Sequence, residues 1–211
     1  MNAHPHRPLV LACGALAGDL RAVLGASGLE GHVEVEYLPA NLHNRPDAIT
    51  PALRPRVRAA FEESRPVFIA YADCGTGGAL DALLAEFPGV QRLPGAHCYE
   101  MFAGSSPFAA LHDEEMGTFY LTDFLAKHFD ALVWTGLGLD RHPDLRDLYF
   151  GAYRRVVLLS QAPSTALLIQ ARAAAARLGL DFEHRPTGRD NLGDPIVAFV
   201  QQHQAHDAAT R

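Results

Sequence analysis

The sequence predicts an α/β fold of the Rossmann-like kind, with a mostly parallel sheet covered by helices on both faces. Short apolar runs alternate with helical stretches along the whole chain of 211 residues. Most of these runs are apolar at successive positions, which is typical of strands buried on both faces. No low-complexity linker divides the chain, so we expect a single domain over residues 1–211, frayed over 1–7 and 204–211. An echo between VLACGAL and FIAYADCGTGG suggests two loosely similar lobes.

The first half of the chain predicts strands that alternate with helices. PLVLAC and PVFIAYA are apolar throughout and predict buried strands, whereas HVEVEYL alternates apolar and polar residues and predicts a half-buried strand. A helical pattern follows each strand, in LAGDLRAVLGASG, PDAITPALRPRVRAAFEES and GGALDALLAEF. Pro51 and Pro55 are expected to divide the second of these helices, because proline interrupts helical hydrogen bonds. VQRLPG predicts a short strand or a loop.

The second half predicts a long amphipathic helix followed by further strands and helices. The long helix is EEMGTFYLTDFLAKHF, with a core-facing set at Phe119, Leu121, Phe124, Leu125 and Phe129. DALVWTGL and RRVVLLSQ predict buried strands, and DFEHRPTG predicts a strand and turn. Helices are predicted in PDLRDLYFGAY, STALLIQARAAAARLGL and DPIVAFVQQHQAHDAATR. The stretch from residue 93 to 115 lacks a clear element, and we expect a functional loop there.

The charge and cysteine content narrow the possible partners and the compartment. The formal net charge is −6 at pH 7 and no basic run is present, so composition gives no electrostatic reason to bind nucleic acid or an anionic membrane. No apolar run reaches the length of a membrane-spanning helix. Three cysteines without a secretion-signal pattern argue against a disulfide framework. We therefore expect a cytoplasmic protein with available thiols, and both a small-molecule and a protein partner stay open.

The predicted strands place the cysteines. Cys13 ends the first strand, Cys74 follows the strand PVFIAYA, and Cys98 lies in the long loop after VQRLPG. Ligands of open parallel sheets bind outside the carboxyl ends of the strands. We therefore expect the three sulfurs to meet at that edge of the sheet. The alternative for each cysteine is burial as a small apolar residue without a site.

Three thiolates that meet in one pocket predict a site for a soft or borderline metal: zinc, an iron–sulfur cluster or copper(I). Cys13, Cys74 and Cys98 are the expected ligands, which leaves a fourth position for water, substrate or another side chain. The candidates for this position are His97, Glu100 and Asp73, and we expect His97 or Glu100 to complete or tune the site. If the protein is an enzyme, a metal- or thiol-dependent transferase, the expected catalytic residues are Cys74 and Glu100.

A second interpretation is a metal-free enzyme. DCGTGG is predicted to open a helix, whose N-terminus favours a thiolate at Cys74. Cys74 would then act as a nucleophile, with His97 or Cys98 as its partner. Backbone amides of the turn would bind an anionic substrate, so the expected substrate-binding set is Gly75, Thr76, Gly77, Gly78, Asn41 and His43. A third interpretation is a non-enzymatic module that delivers a metal or cofactor to a partner.

The chain resembles DUF1638, a family of unknown function. The matching stretches are LACGAL, LPANLHNRPDAI, YADCGTGGALD, GAHCYEMFAG, EEMGTFYLTDFLAKHFD, WTGLGLDRHPDLRDLYFGAYRRVVLLSQ and LGLDFEHRPTG. Cys13, Cys74, Cys98 and Glu100 fall within them. The resemblance implies one complete domain. It also implies a link of some members to corrinoid-dependent methyl-transfer systems, which suggests methyl or one-carbon transfer as the activity of the site.

Overall fold

A computed structural model describes residues 7–209 of the chain. The chain forms two compact units, a first unit up to Met101 and again from Arg189 onward, and a second unit from Phe102 to Gly188. A single domain over residues 1–211 stays a prediction. Of the ends predicted to fray, residues 1–6 and 210–211 lie outside the described residues, and residues 204–209 continue the last helix.

The first unit contains a four-stranded parallel sheet. Every residue of the two central strands is buried, as their uniformly apolar sequences predict. The strand next to them is an edge strand with Glu34 and Tyr37 exposed, which explains its alternating sequence. The strands are β1 (Leu9–Cys13), β2 (Glu34–Leu38), β3 (Val67–Ala70) and β4 (Gln91–Arg92).

The order β2-β1-β3-β4 creates a switch point in this sheet. From β1 the chain passes to β2 on one side, and later strands add on the other side, beginning with β3. Helices that leave β1 and β3 therefore diverge, and a crevice opens at the carboxyl ends of these two strands. Helices α1 (Ala17–Ala26), α2 (Ile49–Glu62) and α3 (Ala79–Glu86) connect the strands, and α4 (Cys98–Ala103) follows β4.

The prediction that proline divides the second helix is wrong, because α2 is continuous from Ile49 to Glu62. Pro51 lies in its first turn, where backbone N–H groups have no helical partner in any case. Pro55 lies inside the helix but on an exposed face, so the carbonyl that it leaves without an N–H partner can bind water.

The second unit contains a three-stranded parallel sheet in the order β5-β6-β7. Its strands are β5 (Thr118–Thr122), β6 (Arg155–Ser160) and β7 (Asp181–Pro186). The central strand β6 is buried from Val156 onward and packs in a core with the alanine-rich face of α8. The helices are α5 (Ser105–Glu114), α6 (Asp123–Lys127), α7 (Leu145–Phe150) and α8 (Thr165–Leu178).

Helix α9 (Asp190–Ala209) belongs to the first unit, although it follows the second unit in the chain. It packs against α1 and β3. The rings of Phe199 and Phe68 lie 5.3 Å apart between centroids, and Arg189 donates to the buried Asp19 of α1 at 2.7 Å. The last helix is therefore part of the layer that covers the sheet of the first unit.

Three predictions for the second half of the chain are wrong. The predicted long helix is strand β5 followed by α6, because five residues rich in threonine and aromatic side chains follow the break at Gly117 and Thr122 then caps a new helix. The run DALVWTGL is a π-helical turn over Asp130–Trp134 instead of a strand, since a short apolar run fits either structure. The expected loop over residues 93–115 contains α4 and α5. Among the described helices, none has the length and apolar character needed to cross a bilayer.

Candidate functional site

Cys13 is the last residue of β1, at the switch point of the first sheet. Its sulfur accepts a hydrogen bond from the backbone N–H of Ala15 at 3.4 Å. The residue after it, Gly14, begins a short 3-10 turn, and a Cβ atom there would lie 2.9 Å from the backbone oxygen of Leu38. Glycine at position 14 thus allows the ends of β1 and β2 to approach closely, with Cys13 at the point of approach.

His43 lies in the 3-10 turn Ala40–Asn44 that follows β2, the neighbour of β1. Its Nδ1 atom is 3.5 Å from the Cys13 sulfur and 3.2 Å from the carbonyl oxygen of Ala40. The turn that carries the imidazole is therefore folded back towards the carboxyl end of β1.

Cys74 lies in the turn after β3 and has a strained backbone. Its φ angle is 52°, in the left-handed region that costs a residue with a side chain about 1–2 kcal/mol. Its N–H donates to the carbonyl of Ala96 at 2.8 Å, and the N–H of Asp73 donates to the carbonyl of Gly95 at 3.1 Å. These contacts fix the turn against the following loop and keep Cys74, which is only 9% exposed, in the strained conformation. Such strain is typical of functional positions.

Cys98 is the first residue of α4, directly after the loop that contacts the Cys74 turn. Although the residue as a whole is only partly buried, burial of the thiol is the main cause that raises its pKa. A hydrogen bond with His43 acts in the opposite direction, and the negative charge of Cys74 nearby raises the pKa further. Cys98 therefore lies in the same cluster as Cys74 and His43.

The imidazole of His43 connects the three cysteines. Burial opposes its positive charge, but hydrogen bonds with Cys13, Cys74 and Cys98 outweigh burial and raise the pKa of His43 well above its ordinary value. We call these four residues the thiol–imidazole cluster. The structure thus brings together three cysteines that are separated in sequence, around a histidine at the carboxyl edge of one sheet.

Tyr71 forms the inner wall of the cluster. It follows β3 directly, is 1% exposed, and its ring lies nearly parallel to that of His43, with centroids 6.3 Å apart. Burial raises the pKa of its hydroxyl, and the closeness of Cys13 and Cys74 raises it further. The hydroxyl interacts with Cys13 strongly enough to affect this pKa but has no partner at hydrogen-bonding geometry among the described residues.

The other residues that we predicted as ligands have contacts of their own. Asp73 accepts hydrogen bonds from the Thr76 hydroxyl and from the N–H groups of Gly77 and Gly78, which hold the pKa of its carboxyl below the usual range. Glu100 accepts from the N–H of Ala96 at 2.8 Å, and its own N–H donates to Nδ1 of His97 at 3.4 Å. Both carboxylates therefore organise the loops around the cluster. Roles for Glu100 in catalysis and for His97 as a ligand stay predictions.

The predicted anion-binding turn already contains an internal anion. The amides of Gly77 and Gly78 donate to the Asp73 carboxylate, so an anionic substrate would have to displace it. Helix α3 begins at Ala79, two residues later than the predicted GGALDALLAEF, so the helix dipole acts on Cys74 more weakly than we expected. Substrate binding by Gly75, Thr76, Gly77, Gly78, Asn41 and His43 stays a prediction.

The cluster is a hydrogen-bonded arrangement of donors. The described residues contain no group of three or more His, Cys, Asp or Glu side chains already positioned to hold a metal ion. Three thiols and an imidazole within hydrogen-bonding reach can nevertheless do two kinds of chemistry. They can lose their protons and bind one soft or borderline metal ion. Alternatively, the imidazolium can stabilise one cysteine as a thiolate.

Our sequence reasoning missed Tyr71, and it named His43 as a substrate-binding residue without predicting its contact with Cys13. The position of His43 near Cys13 could have been predicted, because β2 and β1 are parallel neighbours and the turn with His43 begins where β2 ends. The signal for Tyr71 was weaker, since an aromatic residue at the end of an apolar run is also typical of the core. The first unit is thus an α/β module of Rossmann-like topology with a thiol–imidazole cluster at its switch point.

Residues 37–194 match the family model described as "Protein of unknown function (DUF1638)". The match covers well over half of the chain, so the chain belongs to this family. The matched span includes His43, Cys74 and Cys98 and begins after Cys13. No curated protein matches the chain.

Proposed function

We propose that this protein binds one zinc ion, or a metal ion of similar softness, through Cys13, His43, Cys74 and Cys98. The observation that carries the proposal is the contact between the Cys13 sulfur and Nδ1 of His43 at 3.5 Å, together with the effect of Cys74 and Cys98 on the pKa of the same imidazole. Three sulfurs and one imidazole nitrogen are a donor set that zinc prefers in its four-coordinate sites. Loading replaces the protons shared within the cluster, since thiol and imidazole ligands bind metal only when deprotonated.

One distance in the cluster supports a single ion as the ligand. A tetrahedral zinc ion holds sulfur at about 2.3 Å and imidazole nitrogen at about 2.0 Å, which puts these two donor atoms about 3.5 Å from each other. The Cys13 sulfur and Nδ1 of His43 are 3.5 Å apart. Iron–sulfur clusters are usually held by four cysteines, whereas this cluster has three cysteines and one histidine. We therefore favour a mononuclear ion over an iron–sulfur cluster.

The number of donors bears on what the metal does. Four protein ligands occupy every position of a tetrahedral ion, as in structural zinc sites, whereas catalytic sites leave one position for water or substrate. The proposal therefore favours a metal that is retained or passed to a partner over a metal that binds substrate directly. Methyl or one-carbon transfer, which the family resemblance suggested, stays a prediction.

The proposal is tested by titrating metal-free protein with Co²⁺ and Zn²⁺ under anaerobic conditions. We expect one equivalent of Co²⁺ to give the absorption of a tetrahedral ion with a sulfur-to-metal charge-transfer band. Single substitutions Cys13→Ser, Cys74→Ser, Cys98→Ser and His43→Ala should each weaken binding on the order of 100-fold or more, because each removes one of four ligands. Elemental analysis of freshly purified protein should find one zinc per chain.

The matched control is His97→Ala, which removes a neighbouring histidine that is outside the proposed ligand set. This variant should bind Co²⁺ with nearly unchanged affinity and spectrum. If His97→Ala loses the metal and His43→Ala retains it, the assignment of the fourth ligand is wrong. If the wild-type protein shows no charge-transfer band at any Co²⁺ concentration, the metal site itself is wrong.

A second candidate is the metal-free enzyme with a cysteine nucleophile. It is favoured by the raised pKa of His43, because an imidazolium beside three thiols stabilises a thiolate. In this case the protein is purified without metal, and one cysteine reacts with iodoacetamide much faster than the other two. Cys74 is the expected fast residue, because it is more exposed than Cys13 and because burial raises the pKa of the Cys98 thiol. Replacement of His43 should then slow the reaction of that cysteine.

A further inference from the structure

We infer that Tyr71 is a positioning residue of the thiol–imidazole cluster, whose hydroxyl donates a hydrogen bond to the Cys13 thiolate when a metal ion is bound. The inference rests on the proposed function, and it adds the outer residue that tunes the sulfur ligand. It assigns a role to a buried polar group for which neither the fold nor the core provides an explanation.

Tyr71 lies at the edge of the sheet that carries Cys13. It directly follows β3, the strand that pairs with β1. It is almost completely buried, and its ring lies beside the imidazole of His43. The hydroxyl therefore cannot turn towards solvent without displacing the ring from the interior.

The Tyr71 hydroxyl is buried and lacks a partner at hydrogen-bonding geometry among the described residues. Buried hydroxyl groups nearly always have a partner, and a phenylalanine would fill the same space without this need. The sheet register places Ala70 opposite Ala12, so the next residues, Tyr71 and Cys13, leave their strands side by side. Burial, followed by the nearby Cys13 and Cys74, raises the pKa of the hydroxyl.

Metal binding would convert the Cys13 thiol into a thiolate. A protonated thiol is a weak hydrogen-bond acceptor, whereas a thiolate carries charge and accepts much more strongly. The hydroxyl of Tyr71 thus gains a good partner only in the loaded state. Its hydrogen bond joins the one that the N–H of Ala15 already donates to the Cys13 sulfur. Two donors on one metal-bound sulfur fix its orientation and reduce its nucleophilicity.

The test compares Tyr71→Phe with the wild-type protein in the Co²⁺ titration. We expect Tyr71→Phe to bind Co²⁺ about 10-fold more weakly, in the range typical for loss of an outer-shell partner. The charge-transfer band should move to longer wavelength, because the sulfur electrons are no longer stabilised by the hydroxyl. The metal-free variant should be at least as stable as the wild-type protein in urea, since it loses a polar group that has no partner.

The matched control is Tyr120→Phe, which removes the hydroxyl of a buried tyrosine in the second unit. It should leave both the affinity and the band unchanged. If Tyr71→Phe has a wild-type spectrum and affinity while the cysteine variants lose the metal, the inference is wrong and the metal site stands. If the wild-type protein binds no Co²⁺, both the inference and the proposed function are wrong.

Discussion

The polar groups at the carboxyl edges of the two sheets differ in their hydrogen bonding. In the first unit, the edge combines a buried hydroxyl without a partner, a strained cysteine and an imidazole among three thiols. In the second unit, Asp123 directly follows β5 and is 4% exposed, yet its carboxylate accepts the N–H groups of Gln161 at 3.0 Å and Ala162 at 2.8 Å. The Gln161 side chain accepts the N–H of Asp123 in return.

The carboxyl edges of the two sheets differ in whether their polar groups have partners, and this separates a stabilising contact from a candidate site. The reciprocal hydrogen bonds between Asp123 and Gln161 tie the ends of β5 and β6 together, and nothing about them requires a ligand. The thiol–imidazole cluster contains strain and a polar group without a partner, which a ligand can relieve. We call the carboxyl edge of the β2-β1-β3-β4 sheet the first edge and that of the β5-β6-β7 sheet the second edge. We interpret the second edge as stabilising the fold and the first edge as the proposed binding site.

The largest expected effect comes from removing the Asp123 carboxylate at the second edge. Asp123→Ala leaves the buried N–H of Gln161 and the less buried N–H of Ala162 without their acceptor, and we expect a loss of about 3 kcal/mol in the free energy of unfolding measured in urea. The control Asp130→Ala removes a carboxylate that is 79% exposed and paired with Arg177, and should cost at most about 1 kcal/mol. Equal effects of the two variants would contradict a stabilising role for the second edge.

The next effect concerns metal binding. Zn²⁺ at 100 times its dissociation constant should stabilise the native state by about 2.7 kcal/mol, because it binds only the folded cluster. Hydrogen exchange should show this protection at the amides of Ala15 and Cys74, and much less at those of Asp123 and Gln161. If both edges gain equal protection, the two units unfold together and the comparison between them loses its meaning for stability.

An effect of intermediate size is expected from a substitution that tests the close approach of the ends of β1 and β2. Gly14→Ala places a Cβ atom 2.9 Å from a backbone oxygen, and we expect it to cost about 2 kcal/mol and to weaken Co²⁺ binding. The control is Gly18→Ala in α1, where a Cβ atom meets nothing within 4 Å. This variant should gain about 0.5–1 kcal/mol and bind Co²⁺ normally. Normal Co²⁺ binding by Gly14→Ala would show that the close approach is unnecessary.

The smallest effect measures the strain at Cys74. In metal-free protein we expect Cys74→Gly to be about 1 kcal/mol more stable than Cys74→Ala, because glycine adopts a positive φ without strain. At Cys13 the backbone is extended, with φ −65° and ψ 134°, so the order should reverse and Cys13→Ala should be the more stable. The same order at both positions would argue against stored strain at the first edge.

The sequence predicted the Rossmann-like α/β class and the strands of the first unit because uniformly apolar runs bounded by glycine have few other structures. It failed where the local pattern was ambiguous. TFYLT lies between helical stretches, so its β-forming residues were read as helix, and DALVW fits a helix as well as a strand. Strand polarity was the basis for predicting that Cys13, Cys74 and Cys98 meet at one edge, and their joint role in one site stays a prediction.

The contacts within the site could not be predicted from the pattern. His43 lies close to Cys13 because Gly14 lets two strand ends approach, and that distance is set by packing. Likewise, the carboxylates of Asp73 and Glu100 were reasonable ligands by residue type. Both accept hydrogen bonds from nearby backbone N–H groups, and such local hydrogen bonds are not specified by composition.

The discontinuity of the first unit has a consequence for biosynthesis. All four residues of the thiol–imidazole cluster precede Met101, whereas α9, which packs on β3 through Phe199 and Phe68, is translated only after the whole second unit. Domains generally begin to fold as they leave the ribosome. The nascent chain therefore carries all four proposed ligands while one flank of their supporting strands is still uncovered. If the protein binds a metal ion as we propose, we expect the ion to enter most easily during this interval.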